Sequence, residues 1–285
     1  MGTQKSGGAI MRGSCRSSPH RLAAALLAVL GAGGVQQTVW AADYTFRIEP
    51  AYPADRVAEI YAPLMTYLNK TTGQHFTLVP TRNYHFYWRD MQNNVKTDFA
   101  FDEAHMADYR IEKQHFEPLV HTAEPTSYTL VSNIDLGNKG LQGLVGHTIV
   151  TMGAPSLGYA LLLEFYPNPI LQPDIATTAT SWRDATDRVF GGEADAAMIP
   201  TWLKDQYPNL TPVKTTHEYP GQCITASPDV PADLRDKVKQ ALLKLDTDAD
   251  ASKLLFDLGV TKFVPATAKE YSGDEQILKN FIGYK

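Results

Sequence analysis

Three short apolar stretches separated by two helical patterns constrain this chain most. Tyr44-Thr45-Phe46-Arg47-Ile48 alternates and reads as a strand. Phe76-Thr77-Leu78-Val79-Pro80 is a second, and Asp98-Phe99-Ala100-Phe101 is a third. Between the first two, Val57, Ile60, Tyr61, Leu64, Met65 and Leu68 share one face of an amphipathic helix that ends at Gly73. Residues 84–94 read as a helix before the third strand. Strand–helix–strand–helix–strand order predicts a parallel sheet with helices on its faces. Such sheets bind ligands beyond the carboxyl ends of their strands. The third strand ends there in Phe101-Asp102-Glu103-Ala104-His105, which turns polar and acidic and then takes up helical spacing at Ala107, Tyr109 and Ile111.

A second block repeats the pattern. Residues 116–120 and 128–133 read as strands, and His147 to Met152 as another. A tight loop, Gly153-Ala154-Pro155-Ser156-Leu157-Gly158, leads into an apolar helix over 159–165. Trp182 to Phe190 is amphipathic, and Asp195 to Pro200 is a strand. After Cys223-Ile224-Thr225-Ala226, helices are expected over 231–245, 254–258 and 275–282. Two α/β blocks of ordinary size predict two lobes, and the cleft between them is the expected ligand site.

The first 41 residues have a different character. Arg12, Arg16 and Arg21 precede an apolar run from Leu22 to Val35, and Val39-Trp40-Ala41 supplies a cleavage site. This order is that of a secretory signal peptide, and the run is shorter than the roughly 20 residues that a membrane span needs. Cleavage after Ala41 leaves 244 residues with 22 basic against 31 acidic side chains, a net charge of −9. So acidic an exported chain is a poor partner for nucleic acid or anionic membranes. Cys15 lies in the leader and Cys223 is the one cysteine after it, which precludes an intrachain disulfide. Export without disulfides fits a bacterial periplasm.

Two stretches carry chemistry of their own. Asp102-Glu103-Ala104-His105 matches a helicase box by letter, but no phosphate-binding loop ending in Gly-Lys-Ser/Thr accompanies it. Asp102, Glu103 and His105 suit a metal ion, an amine or another cation. The plainer reading makes Asp102 a helix cap and Glu103 a partner of the helix dipole. Ala154-Pro155-Ser156-Leu157-Gly158 approaches a hydrolase nucleophile elbow, with Ala154 where glycine belongs. Spacing singles out none of the seven remaining histidines as a base. The alternative is an anion-binding helix start formed by Ser156, Leu157 and Gly158. Tyr52, Tyr84, Tyr128, Tyr159 and Tyr219 fall near strand ends, where a hydroxyl on an aromatic ring suits a selective cleft.

The chain resembles the phosphonate-binding, PhnD-like branch of the periplasmic solute-binding proteins of ABC transporters. The resemblance rests on Pro63-Leu64-x-x-Tyr67-Leu68 with Thr72-Gly73, Asn83-Tyr84, and Asp98-Phe99-Ala100-Phe101 in the first block. It continues through Tyr128, Leu141-x-Gly143-Leu144-x-Gly146-His147-Thr148-Ile149, Ser156-x-Gly158 and Gly192-x-Ala194-Asp195-Ala196-Ala197. It implies an α/β, two-lobed periplasmic-binding-protein fold of type II, with two mixed sheets flanked by helices and a hinge of two crossing strands. Residues 42–126 and 223–285 would form lobe 1, and 127–222 lobe 2.

The implied function is capture of a small phosphate- or phosphonate-like oxyanion for an ABC permease, by a periplasmic monomer without catalysis or cofactor. The implied ligand contacts include Tyr84 and the Ser156–Gly158 turn. Leu157 stands where a hydroxyl is expected, Asp102 where the family has a tyrosine, and Trp182 where it has a histidine. The alternatives are a cation held by Asp102, Glu103 and His105, and a serine hydrolase using Ser156.

Overall fold

Phe46, Phe76 and Phe99, one from each of the first three strands, meet in a single aromatic cluster. The Phe46 and Phe99 rings stack 6.1 Å apart, and Phe76 sits 5.3 Å from Phe99. The structure, a computed structural model, describes residues 42–248 and 251–284; the segment read as a signal peptide lies outside them. Around the cluster, β1 (Asp43–Ile48) pairs in parallel with both β2 (His75–Val79) and β3 (Phe99–Asp102). The helix Ala54–Thr72 buries Val57, Tyr61, Leu64, Met65 and Leu68, as its spacing predicts. It stops at Gly73, whose φ of 72° is the left-handed conformation a helix end needs and whose N–H returns to the Asn69 carbonyl. Asp98 locks β3 to β1: its carboxylate accepts from both the N–H and the hydroxyl of Thr45, at 2.7 and 2.8 Å.

After β4 (Glu117–Thr122) the chain leaves this sheet and builds a second one. Its strands are β5 (Tyr128–Ser132), β6 (Thr148–Met152), β7 (Asp174–Ala179), β8 (Ala196–Pro200) and β9 (Thr211–Thr215), in the spatial order β7-β6-β8-β5-β9. Here β6 is parallel to β7 and β8, while β5 runs antiparallel to β8 and β9. The chain then returns through β10 (Cys223–Ala226) and β11 (Phe263–Pro265), completing a first sheet of order β11-β4-β10-β3-β1-β2. Both sheets are mixed and flanked by helices. Cys223, the cysteine of the return strand, is a buried free thiol that burial pushes above its ordinary pKa.

Two strands cross between the sheets, before β5 and before β10, and they pair with each other. Thr126 and Tyr219 exchange backbone hydrogen bonds of 2.9 and 2.8 Å, and Thr122 N–H donates to the Gln222 carbonyl. Gly221 permits this approach. A Cβ there would lie 2.1 Å from the Thr122 carbonyl oxygen. Tyr271 donates its hydroxyl to the Gly221 carbonyl at 2.7 Å, tying the C-terminal segment to the crossing.

The helix Ala104–Gln114 is buried continuously from Ala104 to Ile111. It lies under the C-terminal segment, where a 3₁₀ helix, Asp274–Asn280, stands in place of the expected α-helix. Asp108 accepts from the N–H groups of Gly273 and Glu275 and so caps that segment. Three strands are not expected from the sequence: β7, β9 and the three-residue β11. Each forms an edge of its sheet, and β7 and β9 are half exposed and without apolar alternation.

Candidate functional site

The carboxyl ends of β1, β3, β6, β7 and β8 face one another across the gap between the sheets, and the chemistry-bearing side chains stand just beyond them. Glu49 follows β1 and Glu103 follows β3. His105 opens the helix Ala104–Gln114. Asn83 accepts from Phe86 N–H at 3.1 Å, capping the helix Tyr84–Gln92 and presenting Tyr84 at its first position. From the other lobe come Tyr128 at the start of β5, Pro155 and Ser156 after β6, and Trp182 after β7.

These groups interlock. The N–H of Glu103 donates to Glu49 Oε2 at 2.6 Å. Tyr128 reaches across and donates its hydroxyl to Glu103 Oε1 at 2.6 Å. The Tyr128 ring meets Trp182 edge-on, centroids 5.1 Å apart. His105 Nε2 lies 2.9 Å from the Pro155 carbonyl, a second bond between the lobes. A carbonyl can only accept, so Nε2 carries the proton and Nδ1 the lone pair. Two buried atoms at the centre, Glu103 Oε2 and His105 Nδ1, have no hydrogen-bond partner, and beside them the Tyr84 hydroxyl and the Glu49 carboxyl act on each other. One ligand atom from each of Glu49, Glu103 and His105 lies within 4.8 Å of the others.

Burial dominates the electrostatics. It pushes the Glu103 carboxyl up to about 7, against the Tyr128 bond that favours its charged form. Glu49 is raised well above the usual carboxylate range by burial and then by the neighbouring Glu103 and Asp102. Burial lowers His105 to about 4, so its imidazole is neutral at ordinary pH.

The residues expected from sequence divide into several groups. Glu103, His105, Tyr84, Tyr128 and Trp182 come together at the centre. Tyr52 is half-buried and lines the opening toward Tyr84 and Thr177–Thr180, a cleft of about 860 Å³. It also lines a second opening of about 320 Å³, reaching from Glu103 and Trp182 to Trp202 and Phe256. Ser156 and Gly158 lie at the start of the helix Leu157–Phe165. The Ser156 hydroxyl accepts from Tyr159 N–H and contacts the Met152 carbonyl at 3.5 Å. It is fully buried, and among the described residues no imidazole is bonded to it, which removes the basis for a nucleophile there. Gly158 lets Tyr128 and Trp182 close in: a Cβ would come within 2.8 Å of both rings.

Phe101, Asp102, Leu157 and Tyr219 are not at the centre. Phe101 packs edge-on against Tyr61 and Phe263 in the first core. Leu157 belongs to the second. Tyr219 lies in the crossing, its ring 4.3 Å from His217. Asp102 has both oxygens engaged inside lobe 1: Arg110 Nε donates to one at 2.7 Å and the Tyr87 hydroxyl to the other. It balances a buried guanidinium and is not the cation ligand that the acidic run suggested. The other buried arginine, Arg47, is held by Asp90 at 3.2 Å. Glu49 was not anticipated. It sits alone before Pro50, where no periodicity marks it; its position at the end of β1 is the same signal that drew attention to Glu103.

Two α/β lobes around a lined cleft, joined by a paired crossing, define a two-lobed solute-binding protein. The family model for the phosphonate periplasmic substrate-binding protein of ABC transporters matches residues 46–271, and the chain belongs to that family. Proteins of this family capture a small solute for an ABC permease and are not enzymes. The fold is shared with PhnD1 of Prochlorococcus marinus in complex with methylphosphonate, at TM-score 0.71 and 16% identity over 83% of this chain and 97% of that one. A binding protein of an ABC phosphonate transporter from Pseudomonas aeruginosa gives 0.70 and 17%, over 83% and 85%. A Xanthomonas citri protein bound to ATP gives 0.67 and 15%, over 84% and 99%. No curated protein sequence matches the chain. Among the described residues no helix is long and apolar enough to cross a membrane.

Proposed function

We propose that this protein captures a small phosphonate- or phosphate-like oxyanion between its lobes and presents the closed form to its permease. The observation that carries the ligand class is the family match over residues 46–271. The helix Leu157–Phe165 supports it. This helix starts at the end of β6 against Tyr128 and Trp182, and the N–H groups of its first turn are natural anion donors. Tyr84, Tyr128, Trp182 and Tyr52 supply the walls, and Ser156 fixes the turn.

The lobes, 42–126 with 223–285 and 127–222, move as two bodies about the paired crossing. The ligand's preference for the closed state drives the closure. The chain is exported by cleavage after Ala41 and works as a monomer.

The neighbourhood is acidic, and among the described residues both buried arginines already have carboxylate partners. An oxyanion therefore binds only when the charge of Glu49 and Glu103 is balanced. Isothermal titration of the mature protein with methylphosphonate, phosphite and phosphate tests the reading. Binding of at least one, at one per chain, is expected. No heat from any of them, with or without added divalent cation, would refute it.

A further inference from the structure

Glu49, Glu103 and His105 form a set that an oxyanion alone does not explain. All three belong to lobe 1, all are at most 4% exposed, and their covers, Tyr128 and Pro155, belong to lobe 2. Buried polar atoms without partners are rare in folded proteins. Here two occur together, Glu103 Oε2 and His105 Nδ1, beside a Glu49 carboxyl whose side-chain partner is the Tyr84 hydroxyl. The first is a carboxylate oxygen. The second is an imidazole lone pair, oriented because the other ring nitrogen donates to a backbone carbonyl, the arrangement that fixes metal-bound histidines. The carboxylates are likewise oriented, Glu103 by Tyr128 and Glu49 by the Glu103 N–H.

We propose that Glu49, Glu103 and His105 bind a divalent first-row transition cation of the zinc type at the floor of the interlobe cleft. Oxygen and imidazole donors in a two-to-one ratio suit such an ion, and a nitrogen donor disfavours calcium or magnesium. Ligands about 2.1 Å from one ion stand roughly 3–4 Å apart. One ligand atom from each of the three residues lies within 4.8 Å of the others, so side-chain shifts of about an ångström close the set. Two carboxylates, a neutral imidazole and a dication sum to zero charge, while Asp102 is balanced separately by Arg110. Three protein ligands leave a coordination position open for an oxyanion oxygen, and Glu103 lines the neighbouring opening toward Trp182. The ion would supply the positive charge that the arginines do not. Opening of the lobes gives the ion its path in.

The test uses the mature protein stripped with a chelator and titrated with zinc chloride, without any phosphonate. One ion per chain is expected. Glu103→Gln and His105→Ala should each weaken it by more than the roughly 100-fold that loss of an outer partner costs. His75→Ala, which removes the exposed His75–Asp43 pair, should leave it unchanged. Cobalt chloride gives a readout that needs no variant: its visible absorption should intensify at one equivalent and be abolished by one equivalent of zinc. Absence of zinc binding at millimolar concentration, loss of it in His75→Ala, or binding of methylammonium in place of the metal would each overturn the assignment. Because no oxyanion is present, failure here leaves the phosphonate reading standing, and failure of the phosphonate titration leaves this one standing.

Discussion

Glu103→Gln, made in chelator-treated protein, should stabilise the fold at alkaline pH, against the usual cost of altering a buried hydrogen-bonded group. Glutamine keeps an oxygen for the Tyr128 hydroxyl and the N–H that donates to Glu49, so the contacts survive while the charge goes. Burial pushes the carboxyl up to about 7 from its ordinary value of 4.5. A raised carboxyl favours folding fully below its unfolded value, and that contribution is lost as pH rises through the folded one. That rise corresponds to roughly 3 kcal/mol, most of it lost between about pH 5 and pH 8. Glu49, raised in part by Glu103, should also relax in the variant and add to the effect. Urea unfolding at the two pH values measures it. Wild type should lose stability from pH 5 to 8 more steeply than the variant. The two should be nearly level at pH 5, with the variant ahead by about 3 kcal/mol at pH 8. Parallel pH dependences, or a variant less stable at pH 8, would show that Glu103 is not held uncharged by its burial.

Other outcomes follow from single contacts. Asp102→Asn leaves the Arg110 guanidinium buried without its counter-charge, and thermal or urea unfolding should show a loss of about 3–5 kcal/mol. Tyr128→Phe removes a hydrogen bond between the lobes. It should lower stability by about 1–2 kcal/mol and enlarge the radius of gyration in small-angle scattering; an unchanged radius would count against that bond holding the lobes together. Ser156→Ala should cost about 1 kcal/mol through the lost helix cap, with weaker oxyanion binding in titration; abolition of an esterase activity would instead revive the nucleophile. Gly158→Ala drives a methyl into Tyr128 and Trp182, and should cost about 1–3 kcal/mol in unfolding measurements while lowering oxyanion affinity.

Elements that bury one regular face were legible in the sequence. The helix Ala54–Thr72 announces its face through Val57, Tyr61, Leu64 and Leu68, and β3 announces itself through Phe99 and Phe101. The edge strands β7 and β9 were not, because a half-exposed edge needs no apolar alternation. The site was half legible for a related reason. Strand-end position pointed at Glu103, His105, Tyr84 and Tyr128, yet position cannot tell which neighbouring residue turns inward to a buried partner. Asp102 and Glu103 are adjacent and chemically alike. Asp102 turns to Arg110, eight residues on along the same segment, and Glu103 turns to Tyr128 in the other lobe. Glu49 was invisible because its partner, the Glu103 N–H, is 54 residues away.

Gly221 has a mechanical consequence. With no side chain between the crossing strands, Thr122 and Gln222 stay in backbone contact, and the Thr126–Tyr219 pair continues the same ribbon. A two-stranded ribbon bends across its width more readily than its strands slide past each other, since sliding breaks every bond at once. On the proposed hinge motion the lobes would have one soft coordinate, and each closure would return Tyr128 to Glu103 and Pro155 to His105 in the same alignment. Replacing Gly221 by alanine would free the sliding coordinate, and the first sign should be multiple conformers of the cleft tyrosines in solution spectra rather than a change in the ligand's own contacts.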